Sequence, residues 1–117
     1  MLIRIDPASS RPIFAQIAAS VRRELVGGSL TTGDRLPPAK ELARSLDVNL
    51  HTVLRAYQEL RDEGLVDLRR GRGAVVTGSQ PLALAQVGEA VKSLVRAAHE
   101  AGMTERETVS LIAKEWF

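Results

Sequence analysis

The stretch Asn49-Leu50-His51-Thr52-Val53-Leu54-Arg55-Ala56-Tyr57-Gln58-Glu59-Leu60 decides the fold. Asn49 is a residue type that caps helices, because its side-chain oxygen accepts from a free backbone N–H of the first turn. Val53, Ala56, Tyr57 and Leu60 recur at helical spacing and share one apolar face, and the pattern stops at Gly64. This predicts a helix over 49–63. Upstream, Leu42, Ala43 and Leu46 mark a shorter helix that starts near Pro38, a residue suited to a first helical turn. Residues 47–49 form the turn between the two. Helices of these lengths around so short a turn match a helix-turn-helix.

Outward from that unit, Leu65–Arg69 and Ala74–Thr77 are β-prone runs around Arg70-Gly71-Arg72-Gly73, which predicts a hairpin. A hairpin directly after the second helix is a wing. On the other side, Phe14, Ile17, Ala18, Val21 and Leu25 form one helical stripe that begins at Pro12 and ends at Gly27-Gly28. Residues 1–11 read as an extended lead-in with a turn at Asp6-Pro7, and residues 29–37 as a loop. Gly78-Ser79-Gln80-Pro81 reads as a linker. Beyond it, Leu84, Val87, Val91, Leu94, Val95 and Ala98 stripe a helix over about 82–101. Gly102 breaks that helix, and Thr104 and Glu107 form a capping-box pattern before a second one carrying Val109, Ile112 and Trp116. The expected fold class is mainly α (α+β): a winged helix-turn-helix over 1–77, a linker at 78–81, and a two-helix segment over 82–117.

Composition narrows the function. The 117 residues are 44% hydrophobic, yet only Phe14, Tyr57, Trp116 and Phe117 are aromatic, so the core is aliphatic. The lack of cysteine removes disulfides, thiolate zinc sites and cysteine nucleophiles. No apolar run is long enough to span a bilayer, and residues 1–10 have no apolar signal region, so a cytoplasmic protein is expected. The formal charge is +2, but its distribution is uneven: residues 1–77 carry 12 Lys+Arg against 9 Asp+Glu, and residues 78–117 carry 4 against 5. Thirteen of the 16 basic residues are arginine, which suits bidentate contact with phosphate and guanine, although a merely solvated surface would have the same composition.

No catalytic signature is present: there is no nucleophile elbow and no phosphate-binding glycine loop. His51 and His99 stand 48 positions apart on different helices, so no metal or cofactor is expected and neither is an enzyme. With Val53, Ala56, Tyr57 and Leu60 assigned to the core, Leu50, His51, Leu54 and Arg55 point outward or along the flank of the 49–63 helix. In a helix-turn-helix such a helix enters the major groove. His51 and Arg55 share a face and can donate to guanine N7 or O6; leucine methyls can pack on thymine methyls. Two readings stand for Leu50 and Leu54, base contact or a wider core stripe, with Leu50 leaning toward contact. Thr52, near the helix start, can hold a phosphate or be an ordinary first-turn residue. Arg69, Arg70 and Arg72 crowd like charges at the wing tip and call for a counter-anion, with an exposed polar hairpin as the bland reading. Arg35 and Lys40 flank the helix-turn-helix and can reach phosphates or remain surface charges.

The tail stripe is nearly heptad, and such seams bury themselves against another helix. The tail folds back on the first helix or pairs with a second chain. The second is favoured because two-fold proteins match palindromic half-sites. Leu84, Val87, Val91, Leu94, Val95, Ala98, Val109, Ile112 and Trp116 are the expected dimerisation residues, and the terminal aromatics Trp116 and Phe117 add surface that docks.

Several pieces, in order, resemble the DNA-binding domain of the GntR family of bacterial regulators. They are Pro12-Ile13-Phe14-Ala15-Gln16-Ile17, Gly33-Asp34-Arg35-Leu36-Pro37, Glu41-Leu42-Ala43, Thr52-Val53, Tyr57-Gln58-Glu59-Leu60, Glu63-Gly64-Leu65-Val66 and Arg70-Gly71-Arg72-Gly73. The short two-helix tail is similar to that of the YtrA-like subfamily. The resemblance implies a sequence-specific transcription regulator, a repressor by default. It further implies that a homodimer binds a palindromic double-stranded operator without a cofactor; whether a small-molecule effector exists is not specified. By resemblance Arg35, Lys40, Asn49, His51, Thr52, Arg70 and Gly71 occupy DNA-contacting positions. Three departures stand out: Pro38-Ala39 replace the usual Ser after Leu-Pro, Leu50 stands where many members have Arg or Pro, and Leu54 stands where an Arg commonly reads guanine. The alternative is a winged-helix protein-interaction module in which Leu50 and Leu54 bind a partner protein.

Overall fold

The computed structural model describes residues 3–77 and 82–116; the expected linker at 78–81 and Phe117 lie outside the described residues. The elements run α1 (Ile13–Gly27), α2 (Ala39–Leu46), α3 (Leu50–Asp62), β1 (Val66–Arg69), β2 (Gly73–Val76), α4 (Leu82–Glu100) and α5 (Glu105–Glu115). The winged helix-turn-helix and the two-helix tail are therefore present as read from the sequence.

The core of the winged unit is aliphatic. Ile17 and Val21 of α1 and Val53 and Leu60 of α3 are fully buried, and Leu36, Leu42, Leu65, Val66 and Val76 close around them. The lead-in is also structural, because Ile3 is buried in this core. Its backbone is tied to α1 by side chains. Ser20 Oγ meets the Arg4 N–H and C=O at 3.4 and 3.2 Å, and Gln16 Oε1 accepts from Asp6 N at 2.6 Å. Gln16 Nε2 donates to the carbonyls of Asp6 and Arg11. The polar groups buried on α1 are thus paired.

Strands β1 and β2 pair antiparallel, with Val66 opposite Val76 and Arg69 opposite Gly73. The loop before α2 adds a third edge. Gly33 N donates to Val76 O (2.9 Å), Val76 N to Asp34 O (2.8 Å) and Leu36 N to Ala74 O (2.9 Å), with Arg35 bridging Val75. Residues 33–36, read as loop, therefore lie along β2 as a short strand-like segment. No local pattern announces a pairing between segments forty residues apart in the chain.

Helices α1 and α3 run side by side in the same sense. Arg22 Nε and Nη2 donate to the two Glu63 carboxylate oxygens at 3.0 and 2.6 Å, and Phe14 lies beside Arg55. In the tail, Thr104 and Glu107 form the expected capping box, and Thr104's hydrogen bonds hold the Glu107 carboxyl below the usual carboxylate range. The chain turns between α4 and α5 through Met103 N to Ala98 O (2.9 Å), and Ala98 and Thr108 are buried where the helices meet. Leu84 corrects an expectation: it packs against the core of the winged unit, not outward toward a second chain. It does so because α4 begins against α1, where Gly88 lets Val26 Cγ1 come within 3.4 Å of the position a Cβ would take.

Candidate nucleic-acid interface

The front of α3 is built by its cap. Asn49 Oδ1 accepts from His51 N at 2.8 Å, satisfying a first-turn donor and fixing where the helix starts. The turn before it is set by Asp47, whose φ of 55° closes α2 while Val48 N donates to Ala43 O at 2.9 Å. Behind the helix, Tyr57 Oη donates to Pro37 O at 2.6 Å and ties α3 to the start of α2.

That tie has a pH signature. Burial raises the Tyr57 phenol well above its ordinary pKa of about 10. The unfolded chain releases this proton first, so the stabilisation is complete below about pH 10 and is lost as pH rises toward the folded value. Tyr57→Phe is expected to cost about 1 kcal/mol at neutral pH and to remove this alkaline loss. Urea unfolding of both proteins between neutral pH and pH 11 checks it.

On the outer surface of α3, His51, Leu54, Arg55 and Gln58 are exposed. Gln58 was absent from the sequence candidates; its position seven residues after His51 puts it on the same face, which was the available signal. Leu54 is 37% exposed and so does not complete the core stripe. Leu50 goes the other way: it is half-buried and packs against the core, correcting the lean toward base contact. Its direction is set by packing in the assembled core, which helical spacing alone leaves open. Thr52 is half-buried.

The wing tip is made by backbone geometry. Gly71 and Gly73 have φ of 79° and 71°, and Arg72 N donates to Arg69 O at 3.0 Å. Only glycine adopts such angles without strain. Arg69 is drawn back to Asp67 of its own strand at 3.4 Å. Arg70 and Arg72 are exposed, and no ion pair engages them among the described residues. Arg35 is exposed on the segment paired with β2, and Lys40 is exposed in the first turn of α2. The site thus unites a capped helix, an arginine-tipped hairpin and flanking cations on one scaffold. Among the described residues, no group of three or more His, Cys, Asp or Glu is arranged to hold a metal.

Residues 14–76 match the family described as bacterial regulatory proteins, gntR family. The chain belongs to the GntR family. Its DNA-binding winged helix is that of a transcription regulator. The GntR chain is 36% identical over 107 residues to the HTH-type transcriptional repressor YtrA of Bacillus subtilis (strain 168), covering 87% of this chain and 82% of that protein. Among solved structures it resembles YtrA from Sulfolobus acidocaldarius, a GntR-family transcription factor (33% identity, TM-score 0.62, 96% and 94% of the two chains). It also resembles the AraR DNA-binding domain in complex with operator ORX1 (25% identity, TM-score 0.57, 63% and 92%). The second likeness covers less than two thirds of the chain; the first, at 96%, takes in the tail helices of this GntR regulator as well.

Proposed function

We propose that this regulator is a repressor that binds a palindromic operator as a homodimer joined through α4 and α5. The observation that carries the proposal is the uncovered apolar band on the tail. Val87, Val91, Leu94 and Val95 of α4 and Val109, Ile112 and Trp116 around α5 are between 37% and 73% exposed. Leu111, 47% exposed, lies off this face of α5. Between the helices lies an apolar groove lined by Val91, Leu94, Val95, Val109 and Ile112. Apolar side chains left exposed along both helices and around the groove between them mark an association site, and a second copy of the same seam supplies matching side chains. Each protomer then presents α3 to a major-groove half-site and its wing to the neighbouring backbone. Repression follows if the operator overlaps a promoter and the dimer excludes polymerase, as the name of the Bacillus relative suggests. A regulator of chromosomal genes works in the cytoplasm, and no helix among the described residues is long and apolar enough to cross a membrane.

Val91→Glu combined with Val109→Glu tests this. The wild-type protein is expected at twice its 12.7 kDa chain mass by light scattering. The variant is expected as a folded monomer that loses operator affinity by about a hundredfold or more, because one half-site contact no longer recruits the other. A monomeric wild type, or a monomeric variant with full operator affinity, counts against the proposal. Retention of random genomic DNA at low salt separates it from a protein-interaction module, which retains none. Leu54 is proposed to meet thymine methyls; replacing operator thymines by uracil is expected to weaken binding, and unchanged affinity removes Leu54 from base readout.

A further inference from the structure

The Arg55 guanidinium carbon lies 3.7 Å from the centroid of the Phe14 ring. Phe14 is half-buried on α1 with one side packed on the core, and Arg55 is exposed on α3. Among the described residues, no ion pair involves Arg55. An arginine held by a carboxylate uses its donor edge on that partner. An arginine stacked on a ring uses only its face, and its five N–H donors stay available in the plane. The ring also restricts a side chain that would otherwise lose rotamer freedom on binding.

The direction of the stack matters. Phe14 sits beside Arg55 near the front ends of α1 and α3, while Arg22 reaches Glu59 and Glu63 at the rear. Arg55 therefore leans off the flank of α3 toward the first turn of α1. A helix in the major groove turns its central face to base edges and its flanks to the groove walls, where the phosphates lie. His51 lies nearer the central face, and Leu54 lies on the flank away from α1.

We infer that Phe14 is a positioning residue that holds Arg55 against a backbone phosphate, a sequence-independent contact. The inference rests on the duplex-binding geometry proposed above. It assigns to Phe14 a role outside the helix-turn-helix, on α1.

The test is a mutant cycle on binding to a short duplex of arbitrary sequence, measured across a salt series. Arg55→Ala is expected to lower the slope of log affinity against log salt by about 0.9, one phosphate contact. Phe14→Leu and Phe14→Met keep apolar bulk without the ring. Each is expected to weaken binding about two- to fivefold when Arg55 is present and to have no effect when Arg55 is Ala. Phe14→Tyr retains the ring face and is expected to retain affinity. Thermal unfolding of each variant shows that it is folded, and the Met variant serves if the Leu variant is not. The inference is overturned if loss of the ring leaves binding unchanged, if it weakens binding equally in the Arg55→Ala background, or if Phe14→Tyr loses as much as Phe14→Leu. It is also overturned if Arg55→Ala leaves affinity and slope unchanged. In that last case the wing variant described below still reports independently on duplex binding.

Discussion

Replacing Arg70 and Arg72 together by Ala is expected to weaken binding to every duplex, specific or not, by about one to two orders of magnitude near physiological salt. The reasoning is electrostatic. Both side chains are exposed at a tip whose glycine-built turn holds them close to Arg69, and no carboxylate pairs with them among the described residues. Each displaces about one condensed counterion when it meets a phosphate. The slope of log affinity against log salt should therefore flatten by about 1.8 in the double variant. Arg69 is the internal control. It already pairs with Asp67 at 3.4 Å, so Arg69→Ala should change affinity and slope less than either neighbour. Fluorescence anisotropy at several salt concentrations measures all of these. An unchanged slope in the double variant removes the wing from the phosphate backbone.

The second large effect concerns stability. Leu60→Ala is expected to cost about 2–5 kcal/mol, because Leu60 is fully buried where α3 meets α1 and the hairpin, and the surrounding helices cannot collapse into the space. Against a typical total of about 5–15 kcal/mol, this lowers the melting temperature by roughly 10 °C or more. Leu54, two turns earlier on the same helix and 37% exposed, gives the contrast: Leu54→Ala should change stability by no more than about 0.5 kcal/mol. Calorimetry of the two variants tests the assignment of faces on α3 directly. Equal losses would mean that the helix is rotated from the orientation described here.

Much of this architecture is legible in the sequence because local physics repeats. The stripe from Phe14 to Leu25, the Asn49 cap, the glycines at 71 and 73 and the Thr104–Glu107 box each act within a turn or two of chain. What was not legible depends on segments distant in sequence. Residues 33–36 look like a loop because their hydrogen-bond partners, Ala74 and Val76, lie some forty residues on. Leu84 and Val87 read as one seam, yet the start of α4 rests on α1 and sets Leu84, half-buried, against the core while Val87 stays exposed. Leu50 faces either way by helical geometry, and packing sends it inward. For the candidate interface, residue types and spacing pointed to side chains of the wing tip and outer α3 that the structure leaves exposed. They could not reveal that Arg55 stacks on Phe14, since that contact exists only once α1 lies along α3.

The pairing of residues 33–36 with β2 bears on which partner adapts when the complex forms. The hairpin is stitched to the segment leading into α2 by bonds of 2.8 and 2.9 Å, and that segment is tied through Pro37 to Tyr57 of α3. In the proposed complex, helix and hairpin are therefore presented to the duplex as one tied frame. If the protein frame does not give, the double helix must adjust its own groove width and curvature to touch both. Sites with readily bent pyrimidine–purine steps between the contacted positions would then bind more tightly than stiff ones, even at base pairs that no side chain reaches.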